Sequence, residues 1–223
     1  MKNSTDKLEA KLADKNFLYD FVKVTGAIPT LLIFRPKRLY PYGKHAVKGG
    51  VLVSANHKSF LDPIIIHCAL MHRRLNCLAT KDLYKKRIWE IFFPAMHCIQ
   101  VDKENFTMAA FHQVVDRLTA GKAVVIFPEG QVNRDENTAV MTFKSGAMLM
   151  AHRSNVPILP VYLVKKQHWY NRQYIVIGKP IDVRAMTGAF PNMDELNRAS
   201  EVIRQEELAL YDYYQQYIES KKK

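Results

Sequence analysis

The segment VLVSANHKSFLDP, residues 51–63, decides how this chain folds. Its first five residues are the small and apolar run typical of a buried β-strand, and the run stops at Asn56-His57. Asp62-Pro63 then begins a helix, because proline is favoured at the first helical position. The segment therefore predicts a strand, a polar turn and a helix. His57 falls at the carboxyl end of the strand, where open α/β sheets bind their ligands.

His57 and Asp62 stand five positions apart, in the pattern HX4D. One short turn can return the carboxylate to the imidazole, fix which ring nitrogen carries the proton and leave the other as a base. Asp62 can instead act only as the N-cap of the following helix. Spacing alone does not decide between these interpretations, because His97 and Asp102 repeat it within another apolar stretch.

The composition is that of a folded globular protein. Of 223 residues, 48% are hydrophobic and 24% charged, which argues against wholesale disorder and fits one domain with a sizeable core. Lys and Arg total 33 against 21 Asp and Glu, a net charge of +12 that attracts nucleic acid, anionic membranes or phosphorylated small molecules. Three cysteines without a C-x-x-C motif indicate neither a disulfide framework nor a zinc site, so a reducing, cytosol-facing location is expected.

Apolar strands alternate with helical segments along the chain. This pattern predicts a single α/β domain whose mostly parallel or mixed sheet is covered by helices on both faces. The predicted strands are residues 51–55, 75–80, 99–101, 123–127, 158–164 and 174–177, and the predicted helices are residues 64–71, 81–94, 106–118, 143–153 and 194–220.

An N-terminal amphipathic helical segment, residues 1–42, is expected to precede the main domain, residues 43–223. Its apolar residues recur at helical spacing, with breaks at Gly26 and Pro29 that predict two short helices. Residues 34–42 then mix aromatic and basic side chains, as a membrane-interface anchor does, although a helical hairpin that covers the core explains them equally well. The start of the chain is too polar for a signal peptide, and no charge-free window reaches the roughly 18 residues of a spanning helix. The protein is expected to lie on a membrane without crossing it.

A second polar turn, FPEG at residues 127–130, ends the predicted strand 123–127. Gly130 permits a backbone that turns amides towards a crevice, and Glu129 places an acid beside it. Because parallel strands end at one edge of a sheet, this turn and His57 are expected to form one site. Four basic residues are predicted to reach the same face, although each taken singly is better explained as solvated surface charge: Lys81, Lys103, Arg134 and Lys144.

Four sequence blocks in this order and spacing resemble the glycerolipid acyltransferases, and among them the bacterial 1-acylglycerol-3-phosphate acyltransferases. With a late strand and turn at residues 177–181, the resemblance extends from about Val51 to Ile181. The blocks are Asn56-His57-x4-Asp62, residues 127–130, Phe143-Lys144-x-Gly146-Ala147 and residues 156–161.

The resemblance implies that His57 is the general base and Asp62 the carboxylate that orients it. The family's third block normally reads FPEGTRS and helps to hold the acceptor's phosphate, but this chain has Gln131-Val132-Asn133 after the glycine, with Arg134 as a substitute. It also has a lysine where the second block usually ends in arginine, which loosens phosphate recognition. The predicted substrate-binding residues are Asn56, Glu129, Gly130, Lys81, Lys103, Arg134 and Lys144.

The implied reaction transfers a fatty acyl group from acyl-CoA or acyl carrier protein to the free hydroxyl of a lysophospholipid. The expected acceptor is 1-acylglycerol-3-phosphate, which gives phosphatidate. No cofactor, metal or nucleic acid is expected, and the enzyme should be peripheral, on the cytoplasmic face of an anionic membrane surface. Three alternatives remain open: a different lysolipid acceptor, an ester hydrolase that uses Ser59, and a non-catalytic basic module that binds membrane or nucleic acid.

Overall fold

The computed structural model describes residues 16–102, 106–164 and 172–222. The strands are β1 Lys37–Leu39, β2 Val51–Ala55, β3 Leu75–Thr80, β4 Ile99–Val101, β5 Ala123–Ile126, β6 Ile158–Leu163 and β7 Tyr174–Ile177. The helices are α1 Asn16–Phe34, α2 Asp62–Ala69, α3 Arg87–Ala95, α4 Met108–Thr119, α5 Gly146–Ser154 and α6 Met193–Ser220, with a 3₁₀ turn at Lys81–Tyr84. These elements form the α/β domain that the sequence predicts.

All seven strands belong to one sheet, in the order β1-β7-β6-β2-β5-β3-β4. The five strands from β6 to β4 in this order run parallel to one another. β7 is antiparallel to β6 and pairs in parallel with β1, which makes the sheet mixed. Because β2 lies between β5 and β6 and runs parallel to both, the turns after β2 and β5 lie side by side at the carboxyl ends of these strands.

The side chains of β2 alternate between two cores, as the pleat of a strand requires. Leu52 packs in the core that is closed by α4, α5 and α6. Val51, Val53 and Ala55 pack in the core that is closed by α2. The buried central strands are therefore covered on both sides, which explains why β2 has five buried residues in a row.

The N-terminal helix is continuous, so the prediction of two short helices is wrong. Pro29 lacks only one backbone N–H, and the Thr30 hydroxyl satisfies the nearby Gly26 carbonyl at 2.7 Å. The helix is fixed to the domain through Tyr19, which is fully buried. Its hydroxyl accepts the Leu75 N–H at 2.7 Å and donates to the Leu75 carbonyl at 3.3 Å.

Most of α1 does not face the domain. Residues Phe17–Phe34 form an 18-residue stretch of mean hydropathy 1.5 of which only 17% is buried. This stretch is long and apolar enough to cross a membrane, a test of length and composition that the core helix of a soluble protein or a signal sequence near an N-terminus also passes. Asp20 and Lys23 interrupt the apolar sequence, but Asp20 pairs with Arg74 at 2.7 Å and Lys23 bonds the Arg73 carbonyl at 2.5 Å.

The aromatic and basic residues 34–42 contain β1, a strand that the sequence interpretation missed. β1 pairs with β7 at the edge of the sheet, and its Leu39 is buried. Phe34 and Tyr40 pack against the core that α2 closes. Part of the predicted N-terminal segment therefore belongs to the domain itself, and the predicted lead-in at residues 1–15 lies outside the described residues.

Candidate active site

The turn after β2 is organised by one carboxylate oxygen. Asp62 Oδ2 lies 2.9 Å from His57 Nδ1 and accepts the backbone N–H groups of Lys58 and Ser59, each at 2.7 Å. Leu61 holds the N-cap position and Asp62 is the first residue of α2, one position past the cap. The N-cap interpretation of Asp62 therefore does not describe its contacts. Its carboxylate holds the imidazole and the turn together.

The His57 ring has one nitrogen committed and one available. With Nδ1–H donated to Asp62, Nε2 carries the lone pair of the neutral ring, a tautomer assigned from this hydrogen bond. The ring stacks on Phe127, with centroids 4.1 Å apart and planes 19° from parallel. The side chain is 18% exposed and lines the main cavity. Asp62 and Phe127 thus fix the ring in an orientation suited to a base.

The second polar turn is joined directly to the first. The Asn133 N–H donates to the His57 carbonyl at 2.6 Å, and the Gly130 N–H donates to the Phe127 carbonyl at 3.0 Å. The two turns that the sequence places on one sheet edge are therefore in contact. Asn133 is buried, and its side-chain amide donates to the Thr138 carbonyl at 2.9 Å, which stabilises the loop that follows.

Gly130 makes room for a cation. Its φ of +72° lies in the left-handed region, and a Cβ added there would stand 2.8 Å from Lys144 Cε and 2.9 Å from Lys144 Nζ. The Lys144 N–H donates to the Pro128 carbonyl at 2.9 Å, which fixes the base of this side chain against the turn. A residue without a side chain therefore lets the Lys144 ammonium lie over the turn.

The side chain of Glu129 is buried under its own turn and does not line the described cavity. It is 4% exposed and is not among the described cavity-lining residues. Burial raises the pKa of its carboxyl group to about 7, against a smaller lowering by the backbone N–H groups of Met141 and His57 and by the charge of Lys58. The structure therefore places Glu129 between the two turns and gives no support to direct contact with substrate.

Asn56 also has a structural position. Its side-chain amide donates to the Leu163 carbonyl at 3.0 Å and accepts the Leu163 N–H at 2.7 Å, with no exposed surface. Both polar ends of the amide are thus occupied by the end of β6. The predicted role in substrate binding has no support in this geometry. Asn56 instead fixes the start of the turn to the end of β6.

The predicted cations separate into two groups. Arg134 and Lys144 line the main cavity close to His57. Lys81 instead pairs with Asp102 at 3.0 Å and does not line the described cavity. Lys103 lies outside the described residues. In the second HX4D pair, His97 stacks on Tyr19 with ring centroids 4.5 Å apart, and Asp102 pairs with Lys81.

The main cavity has a volume of about 1770 Å³ and a largely apolar lining. Its lining includes His57, Arg134 and Lys144, the acids Asp82, Asp102 and Asp135, and residues of α1, α2, α3 and β3. Its apolar lining includes Ala27, Ile64, Met71, Leu78, Ala79, Trp89, Phe92, Phe93 and Met96. A volume of this size beside a base fits a substrate that joins a charged group to a long hydrocarbon chain.

Ser59, the nucleophile of the hydrolase alternative, does not line this cavity. Its N–H donates to Asp62, and its hydroxyl oxygen accepts the Leu61 N–H at 3.2 Å. Phe127 and Asn133, which sequence reasoning did not select, contact the His57 ring and carbonyl. The one signal that pointed to Phe127 is its position at the end of a buried strand, beside the FPEG turn.

Comparison with known proteins identifies the family of this chain. Residues 32–164, which contain both turns, match the model of the acyltransferase family, and the chain belongs to that family. It is similar to a probable 1-acyl-sn-glycerol-3-phosphate acyltransferase from Mycoplasma pneumoniae, at 33% identity over 52% of this chain and 45% of that protein. It is similar to a 1-acyl-sn-glycerol-3-phosphate acyltransferase from Bacillus subtilis, at 22% identity over 70% of this chain and 78% of that protein.

A solved structure has the same fold. The crystal structure of the 1-acyl-sn-glycerophosphate acyltransferase PlsC from Thermotoga maritima superposes with a TM-score of 0.61 at 18% identity, over 96% of this chain and 84% of that one. The matched region spans about half the length of several of the curated relatives, including 45% of the Mycoplasma pneumoniae protein and 51% of one from Borreliella burgdorferi.

Proposed function

We propose that this chain transfers a fatty acyl group from a thioester donor to the hydroxyl of 1-acylglycerol-3-phosphate, giving phosphatidate. One observation carries the proposal: His57 lines a largely apolar cavity together with Arg134 and Lys144, and Asp62 holds its Nδ1 so that Nε2 can act as the base. The family match and the names of the Mycoplasma and Bacillus relatives support this acceptor.

In the proposed reaction, His57 Nε2 takes the proton of the acceptor hydroxyl as its oxygen attacks the thioester carbonyl. The tetrahedral intermediate then collapses, the carbon–sulfur bond breaks, and the imidazolium returns the proton to the leaving thiolate. Asp62 stabilises the imidazolium between these two steps. No enzyme nucleophile is needed, because a thioester is already activated. The donor is acyl-CoA or acyl carrier protein.

The oxyanion of the intermediate needs donors that the turn does not already use. The backbone N–H groups of Lys58 and Ser59 are bound to Asp62, and that of Gly130 is bound to the Phe127 carbonyl. These three amides are therefore excluded as oxyanion donors in this arrangement.

The acceptor's phosphate is assigned in this proposal to Lys144 and Arg134. Both line the cavity that His57 lines, and Gly130 leaves the space that Lys144 occupies. Lys144 supplies a point charge, and Arg134 supplies a planar group with several donors, which suits a phosphate dianion. Gln131 and Val132 also line this cavity, at the positions where the family has threonine and arginine. This substitution favours a second candidate, a lysophospholipid with a different headgroup.

We also place the protein on an anionic membrane surface through α1 and α3. On α1, Phe17 is 83% and Leu32 73% exposed. On α3, Ile88 is 68% and Trp89 40% exposed, directly after the basic residues 85–87. Both helices also line the cavity. Apolar side chains flanked by cations are the pattern of an interfacial contact, and the location is peripheral, on the cytoplasmic face.

An acyl-transfer assay tests the proposal. Purified protein is given 1-acylglycerol-3-phosphate or lysolipids with choline, ethanolamine or glycerol headgroups, with acyl-CoA or acyl carrier protein as donor, beside the His57→Ala variant. Transfer to 1-acylglycerol-3-phosphate that the variant loses supports the first candidate. Preference for another lysolipid supports the second. Donor hydrolysis without transfer, with an acyl group trapped on Ser59, would instead identify a hydrolase.

A further inference from the structure

A buried acid on α6 reaches the strand that carries His57. Ser54 lies on the face of β2 that packs against α6, and its hydroxyl donates to Glu207 Oε1 at 2.7 Å. Both residues have no exposed surface. Ser54 precedes His57 by three positions, so this hydrogen bond fixes β2 immediately before the candidate base.

Glu207 stands in a row of core residues on its helix. Ile203 and Leu210, one turn before and one turn after it, are fully buried and belong to the core that α6 closes. A leucine would fill this position without desolvating a carboxyl group, so packing alone does not account for an acid here. The acid is accounted for by the contact that it makes with Ser54.

The surroundings of Glu207 favour the uncharged acid. Its neighbours are the Ser54 hydroxyl, the Asn56 backbone N–H and the carboxyl group of Glu129, and Tyr162 of β6 faces both acids. Burial raises the pKa of Glu207 well above its usual value and the nearby Glu129 adds to this, while the Ser54 hydroxyl and the Asn56 N–H lower it by a smaller amount. Within the described part of the chain its second oxygen, Oε2, has no hydrogen-bond partner.

We propose that Glu207 is a positioning residue: through the hydrogen bond that it accepts from Ser54 it holds the end of β2, and so sets the direction in which the His57 imidazole meets the acceptor hydroxyl. The inference rests on the proposed function for its catalytic consequence. Its structural part, that Glu207 orients the His57 ring, holds independently of the substrate. Glu207 itself touches neither substrate nor the reacting atoms.

Three variants separate this role from simple packing. Glu207→Gln keeps an uncharged oxygen that accepts the Ser54 hydroxyl, and is expected to retain kcat within about twofold with an unchanged pH profile. Glu207→Leu keeps the volume and removes the acceptor, and is expected to lower kcat about tenfold or more with KM within about twofold, since a small misplacement of a base is costly. Ser54→Ala removes the same bond from the other side and should act in the same direction. Asp212→Leu on the exposed side of α6 is the matched control and should behave as the wild type.

The second measurement is the NMR signal of the His57 ring in protein with ¹⁵N-labelled histidine, assigned with His57→Ala. The ring nitrogens are expected to shift in Glu207→Leu and Ser54→Ala, and to stay in place in Glu207→Gln and Asp212→Leu. Because this readout needs no turnover, it remains decisive if the wild type transfers no acyl group.

Wild-type kcat per folded molecule with an unmoved His57 signal in both Ser54→Ala and Glu207→Leu would overturn the proposal. If Glu207→Leu does not fold, Ser54→Ala decides alone. A Glu207→Gln variant as impaired as Glu207→Leu would also overturn the proposal, because glutamine keeps an uncharged oxygen that accepts the Ser54 hydroxyl.

Discussion

Asp62 Oδ2 lies 2.9 Å from His57 Nδ1, and the same oxygen accepts two backbone N–H groups of the turn. The imidazole is therefore oriented by an atom whose own position is fixed by the backbone. This arrangement couples the conformation of the turn to the tautomer of the ring.

Replacing Asp62 with Asn should lower kcat by about 10²–10⁴-fold, which is the usual contribution of general-base catalysis. An asparagine oxygen in the place of Oδ2 can still accept the three N–H groups, but it carries no charge and no longer stabilises the imidazolium that forms when His57 takes the proton. His57→Ala should lose a similar factor, and the double variant should lose little more, because the two residues act as one unit. Steady-state kinetics with saturating donor measures this. Asp116→Asn on the exposed side of α4 is the control, and additive losses would contradict the coupling.

Gly130→Ala should raise the KM for a phosphate-bearing acceptor by about tenfold with a smaller effect on kcat, because the new Cβ displaces Lys144 from above the turn. The matched control is Gly43→Ala, where φ is +82° but nothing lies within 4 Å of the added Cβ. Both variants should lose about 1 kcal/mol of stability from the left-handed backbone. Equal KM values for the two variants would contradict a role for Lys144 in phosphate binding.

The free energy of unfolding should fall between about pH 4.5 and 7, because burial raises the pKa of Glu129 to about 7 in the folded protein. The folded state then binds this proton more tightly than the unfolded chain. The resulting stability is fully present below the unfolded pKa and is lost as pH rises through the folded one.

Denaturant titrations of Glu129→Gln across this range should show a shallower decline than the wild type, by about 1–2 kcal/mol after solvent screening is allowed for. The comparison between the two proteins removes the contribution of other titrating groups. Parallel curves for the two proteins would mean that Glu129 titrates as it does in the unfolded chain.

A Phe17→Ser, Phe21→Ser, Leu32→Ser variant should stay folded and lose co-sedimentation with liposomes that contain anionic lipid, because these side chains are exposed and make up the apolar face of α1. Phe190→Ser, which removes a ring that is 92% exposed ahead of α6, is the control. Serine at Phe34 and Tyr40 is unsuitable for this test, because both residues pack against the core. Unchanged co-sedimentation of the triple variant would count against the membrane contact.

The sequence predicts most of the strands closely because each is a largely buried run that ends at a polar residue or glycine. β2, β3, β4 and β7 begin and end where the apolar pattern does. β1 was missed because only Leu39 of its three residues is buried, and its partner β7 is distant in sequence. An edge strand of this kind is decided by tertiary pairing, which periodicity does not report.

The proximity of the two turns was also predictable, since it follows from parallel strands that end at one edge. Which of the predicted basic residues line the cavity was not predictable from the sequence. Lys81 and Lys144 are equally plausible from sequence, yet one is paired with Asp102 and the other lines the cavity. Glu207 did leave a signal, a carboxylate where helical spacing from Ile203 and Leu210 calls for an apolar residue.

Tyr19 ties α1 to the first residue of β3 by two hydrogen bonds through one hydroxyl. A helix attached in this way is no flexible tether. When lipid holds its outer face, the tilt of the whole sheet relative to the bilayer plane is set, and so is the height of His57 above the headgroups. Adding or removing apolar residues on the exposed face of α1 would then raise or lower His57 relative to the membrane, and change which lipid hydroxyl groups it can reach.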